Sequence, residues 1–173
     1  MVDYQEAFSK IYDQYIDKIY RFIFLKVSSQ EIAEDLCSET FTRGWQAFKK
    51  SQNPSLNNKT IENPSAFLYQ IARNLIVDHY RQKGRAQIVS TEYIKVSDPR
   101  TDLQQQAIIG SDMNMIRRAM VNIKEDYQDV IIWRYLDELS TSEIAKIMDK
   151  SEEAVRVTLH RALKSLKEEL KEA

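Results

Sequence analysis

Apolar residues in this chain recur at three- and four-residue steps through segment after segment. Near the N-terminus Tyr4, Phe8, Ile11, Tyr12, Tyr15, Ile19, Phe22 and Ile23 keep this rhythm from position 3 to about position 27. It is the period of a helix with one buried face, and it excludes the strict alternation of a half-buried strand. Only 3 Gly and 3 Pro occur in 173 residues, too few to supply the tight turns of a multi-stranded sheet. The fold class this implies is all-α, with six or seven helices.

A second helix is expected to open at Ser28, which stands three residues before Glu31 at capping-box spacing. It runs through Ile32, Leu36, Phe41, Trp45 and Phe48 and ends near Lys50. Ser51 to Asn63, rich in Ser and Asn, reads as a long loop of the kind that often carries function. Asn63 and Pro64 then supply an N-cap and a first helical position for a third helix, expected to stop at Gly84. Its apolar face is Phe67, Leu68, Ile71, Ala72, Leu75 and Ile76.

From Ala86 to Gly110 the periodicity is lost among Ser, Asp, Pro and Gln, so two small helical domains, 1–85 and 112–173, are expected with a flexible linker, 86–111, between them. In the second, helices are expected over 112–122 and 125–137. Another runs from a second capping-box spacing, Ser140 to Glu143, to about Met148, and the last from Ser151 to Leu170.

The net charge of −1 gives no bulk attraction to nucleic acid, so any DNA contact must come from local clusters of Lys and Arg. One cysteine, Cys37, and two histidines, His79 and His160, are too few for a zinc site or a disulfide framework. No metal, no cofactor and no catalytic residue is expected, because no phosphate loop or nucleophile–base pair is recognisable. His79 falls toward the core side of the third helix and reads as a packed histidine. The N-terminus is acidic where a signal peptide would be basic, and no run approaches the ~18 apolar residues of a membrane span. A cytoplasmic protein without membrane insertion is the expectation.

Three helix faces stand out. The segment Ser140 to Leu170 has the two-turn helix, tight Asp149–Lys150 connection and longer helix of a helix-turn-helix. Asp149 stands where glycine is usual, and it tolerates a left-handed backbone. On the last helix Val155, Leu159, Ala162, Leu166 and Leu170 share one stripe, and Arg156, Val157, His160, Arg161 and Lys164 share the opposite arc. The front of that arc suits base readout, with Arg161 and Lys164 nearer phosphate; a solvated helical hairpin would show the same periodicity. On the third helix Gln70, Arg73, Asn74, Val77 and Arg81 form a second strip, either DNA-facing or merely solvated. Asp35, Glu39 and Arg43 repeat at four-residue steps on the second helix, as an intrahelical charge ladder or as a partner-binding face.

Three segments together, AEDLCSETFTRGW (33–45), NPSAFLYQIARNLIVDHYRQKGR (63–85) and LSTSEIAKIMDKSEEAVRVTLHRALKSL (139–166), resemble in order the signature segments of extracytoplasmic-function sigma factors of the sigma-70 family. The resemblance covers nearly the whole chain. It implies a protein that binds core RNA polymerase, through its β′ and β subunits, and directs it to promoter DNA. Asp35, Glu39 and Arg43 would hold the β′ clamp helices. Gln70, Arg73, Asn74, Val77 and Arg81, with the loop before them, would recognise and open the −10 element. The last helix would read the −35 element, and the resemblance adds Thr158 to its set, at a position where the family usually carries a basic residue, as it does at Leu163. An anti-sigma factor would be the inhibitory partner, clamped between the two domains.

A helix-turn-helix regulator acting without polymerase is the alternative from another class. It would form a symmetric dimer on a palindromic site, and the segment 33–45 argues against it.

Overall fold

The computed structural model describes residues 3–53, 55, 60–87, 115 and 118–172, and every extended element among them is helical. The chain divides into two compact units, Met1–Lys95 and Val96–Ala173. The expected linker lies outside the described residues, apart from its first two positions, which continue a helix.

Helix α1 (Tyr4–Val27) is capped by Asp3, whose carboxylate accepts from the Gln5 N–H at 2.9 Å. It ends on Ser28, a left-handed residue (φ 54°) whose N–H donates to the Phe24 carbonyl. This corrects the expected start of the second helix. Ser28 is consumed in reversing the chain, and the extended Ser29 caps α2 (Gln30–Ser51) by accepting from the Ile32 N–H at 3.4 Å. Helix α3 (Pro64–Gln87) starts as expected, with the Asn63 side chain accepting from Ala66 N–H at 3.0 Å. It does not stop at Gly84. That residue has open space around it, and Arg85, Ala86 and Gln87 are good helix formers, so the helix runs on through the glycine.

In this first unit α1, α2 and α3 all pack on one another. Ile19, Phe22 and Ile23 meet Ala33, Cys37 and Phe41 and the α3 residues Leu68, Tyr69, Ala72 and Ile76, all buried. Tyr69 was not anticipated in the core: it is fully buried, edge-on to Phe22 at 5.5 Å, while Phe67 and Ile71 are only half-buried. A helix wedged between two neighbours buries a wider, rotated arc than one lying on a single partner. Gly44 permits the close approach, since a Cβ there would lie 2.9 Å from Leu68 Cδ2. The Tyr80 hydroxyl donates to the Lys26 carbonyl and ties α3 to the end of α1.

In the second unit residues 118–122 are helical and precede α4 (Glu125–Ile131). The expected single helix to Asp137 instead loosens into a π turn over Ile132–Leu136. Asp137 N–H donates to the Ile132 carbonyl at 3.0 Å, five residues back. Trp133 stays fully buried while Arg134, Tyr135 and Leu136 face outward. The turn exits through Glu138, exposed and left-handed at φ 56°. Such a conformation costs an L-residue roughly 1–2 kcal/mol, and glycine returns part of that gain through its freer unfolded chain. Glu138→Gly should therefore stabilise the protein by about 0.5–1 kcal/mol. A lower melting temperature in the variant would show that the glutamate side chain contributes more than the strain removes.

Helix α5 (Thr141–Met148) opens on the expected capping box: Ser140 Oγ accepts from Glu143 N–H at 3.1 Å, and Glu143 accepts from Ser140 N–H at 2.7 Å. Asp149 is left-handed at φ 54°, as the tight connection demands. Ser151 then caps α6 (Glu152–Glu172) by accepting from Ala154 N–H at 3.1 Å. Ile144, Ile147 and Met148 of α5 and Val155 and Ala162 of α6 are buried, with α5 packed on α6. Helix α4 packs on α6 as well, so the outer arc of α6 is fixed by contacts on its other side.

Candidate nucleic-acid interface

That outer arc is the one expected from the sequence. Arg156, Val157, His160, Arg161 and Lys164 are all exposed, while Val155 and Ala162 are buried and Leu159, Leu166 and Leu170 are half-buried. Val157, at 49% exposure, offers an apolar side chain among cations. Thr158 is placed differently. It is half-buried, and its hydroxyl donates to the Ala154 carbonyl at 2.8 Å, within its own helix. Leu163 lies exposed on the arc.

The strip on α3 divides in two. Asn74 and Arg81 are exposed, and Gln70, Arg73 and Val77 are half-buried. Arg81 lies 3.8 Å from Asp78, a loose and solvated pair that leaves the guanidinium available. His79 is half-buried with its ring edge-on to Tyr80. Desolvation, and then the nearby Lys83, lower its pKa, so the imidazole is neutral near pH 7. Among the described residues no group of His, Cys, Asp or Glu is arranged to hold a metal ion.

On α2 the side chains of Asp35, Glu39 and Arg43 are exposed, and Arg43 Nε donates to Glu39 at 2.6 Å. Part of the ladder is thus an intrahelical pair, presented on a solvent-facing surface. The sequence reading missed what lies beside it. Between α1 and α2 runs a groove of about 460 Å³ lined by aromatic side chains, including Tyr12, Tyr20, Phe41 and Trp45, with Cys37 in its wall. Tyr12 meets Phe41 edge-on at 4.8 Å. Burial pushes the Cys37 thiol up to about 11, which keeps it protonated at neutral pH. The signal available in the sequence was Tyr12, Ile16 and Tyr20 at four-residue steps, a stripe that continues past the edge of the core face.

A helix-turn-helix presenting a basic arc in one unit and a three-helix bundle in the other describe an all-helical protein of two parts with a candidate DNA-facing surface. Comparison with known proteins makes this specific. Residues 11–86 match the model for sigma-70 region 2, and residues 113–166 match that for sigma-70 region 4. The ECF RNA polymerase sigma factor SigW of Bacillus subtilis is 30% identical over 177 residues, covering 97% of this chain and 91% of the relative. SigX of the same organism is 29% identical over 171 residues, covering 96% and 84%. BldN of Streptomyces coelicolor is 29% identical over 162 residues; the match spans 93% of this chain and 59% of BldN. This chain belongs to the ECF RNA polymerase sigma factors. Its fold is also that of the sigma factor RpoE crystallised with the anti-sigma factor NepR from Bartonella quintana (TM-score 0.71, 24% identity, covering 96% of this chain and 98% of that one). CnrH in complex with the cytosolic domain of CnrY shares it too (TM-score 0.66, 18% identity, covering 96% and 89%).

Proposed function

We propose that this chain is a non-catalytic specificity subunit that binds core RNA polymerase in the cytoplasm and directs it to promoters. In this reading 1–85 holds core through Asp35, Glu39 and Arg43 on α2, and recognises and melts the −10 element with the α3 strip. The unit 112–173 reads the −35 element with α6. The carrying observation is the order of the two family segments together with the exposed basic arc of α6. No helix among the described residues is long and apolar enough to cross a membrane. We further propose an anti-sigma factor as inhibitory partner, supported by the protein partners bound to RpoE and CnrH.

The readout is tested by comparing two residues of the same arc. Arg156 stands at the front of α6, where bidentate pairing with guanine is available. Its replacement by alanine should cost about 1–3 kcal/mol at one −35 position. Lys164, two turns further on, stands where a cation meets phosphate, so Lys164→Ala should weaken all sequences alike and flatten the salt dependence. Holoenzyme binding to a library randomised across the −35 element separates the two. Uniform loss in both variants would mean that α6 grips DNA without reading it.

A further inference from the structure

The first turn of α6 carries two acidic side chains, Glu152 and Glu153, and Glu152 stands at the edge of the basic arc. Arg156 donates from a terminal guanidinium nitrogen to a Glu152 carboxylate oxygen at 3.4 Å, one turn back, with the two side chains 61% and 49% exposed. A long pair in water holds a helix together only weakly, and Glu152 shares with Glu153 the small dipole stabilisation that any first-turn carboxylate gains. Its position carries an electrostatic penalty, because a carboxylate at the leading edge of a groove-reading helix approaches a polyanion. The penalty is offset where the carboxylate meets a hydrogen-bond donor. In the major groove the donors are base amino groups, and a glutamate is suited to the N4 amino group of cytosine.

We infer that Glu152 is a specificity-determining residue: it accepts from the N4 amino group of a cytosine one to two base pairs away from the guanine taken by Arg156. The ion pair of the free protein is then exchanged for two base contacts of opposite polarity. One helical turn advances about 5.4 Å against roughly 3.4 Å per base pair, so side chains one turn apart reach different base pairs. Ser151 fixes the turn that carries Glu152 through its bond to the Ala154 N–H. The inference rests on α6 reading the −35 element.

The test uses full-length protein with core polymerase on the randomised −35 library. A glutamine side chain suits adenine N6 and N7 instead of cytosine. Glu152→Gln should therefore change the preference at one position from cytosine to adenine, by roughly five- to 150-fold, while the guanine preference beside it persists. Glu152→Ala should lose the cytosine preference without lowering binding to the library as a whole. If Glu152 serves only to hold Arg156, both variants weaken the guanine preference and no cytosine position responds, which overturns the inference. Arg156→Ala is the control: where it removes the guanine preference, α6 is the reader whatever Glu152 does. If neither residue changes any position, the −35 reading fails and the inference with it.

Discussion

Reversing Asp35 and Glu39 to lysine together should lower affinity for core RNA polymerase by more than roughly tenfold, while circular dichroism and melting temperature stay close to those of the parent chain. Both side chains are exposed on α2, so their replacement removes no core contact. The internal loss is the Glu39–Arg43 pair, whose side chains are about half exposed, and such helix-surface pairs are worth about 0.3–0.5 kcal/mol. Against a partner surface complementary to these carboxylates the effect is far larger, because juxtaposed like charges across an interface cost several kcal/mol. The two scales differ by enough to separate a ladder that only decorates α2 from one that binds. Unchanged affinity for core in a variant with native circular dichroism would show that this face is not the one polymerase holds.

The second large effect is expected on α3. Asn74→Ala combined with Arg81→Ala should impair strand opening more than recruitment of holoenzyme to the promoter. Recruitment draws on contacts spread over both units, whereas these two side chains are the exposed members of the strip assigned to the −10 element. Arg81 is paired loosely with Asp78 at 3.8 Å. Permanganate reactivity of thymines around the −10 element reports opening directly, and gel retardation reports recruitment. Normal permanganate reactivity in the double variant would reduce the strip to a solvated helix face.

What the sequence revealed of the fold follows from how local each determinant is. The Ser140–Glu143 capping box, the left-handed Asp149 and the Asn63–Pro64 helix start are set by residues within four positions of one another, and all three are present. Where two residues competed for one role, pattern was insufficient: Ser28 and Ser29 both suit a cap, and the reversal at the end of α1 determines which one serves. Gly84 was read as a stop because glycine often ends helices, yet here the segment beyond it continues to favour helix. The π turn at Ile132–Leu136 has no local signature, because burying Trp133 is a demand of the tertiary packing.

The candidate surfaces divide along the same line. Arg156, Val157, His160, Arg161 and Lys164 were found by angle alone, since a helix with one packed stripe must show the remainder to solvent. Thr158 was added by family resemblance, and the structure turns its hydroxyl back onto α6. The aromatic groove between α1 and α2 was invisible because its two walls come from different helices, and periodicity describes one helix at a time. Glu152 escaped for another reason: it is an acid paired with one of the cations that mark the arc.

Whether this chain gives core polymerase its promoter choice is read out by transcription in vitro. Purified core polymerase is incubated with total DNA from the native host, with and without the chain, and the 5′ ends of the products are sequenced. A set of start sites should appear only when the chain is added, each preceded by a common −35 and −10 pair, and all should be lost with the Asp35→Lys, Glu39→Lys variant. No chain-dependent start sites, with the chain instead binding a palindromic DNA as a dimer in the absence of polymerase, would contradict it.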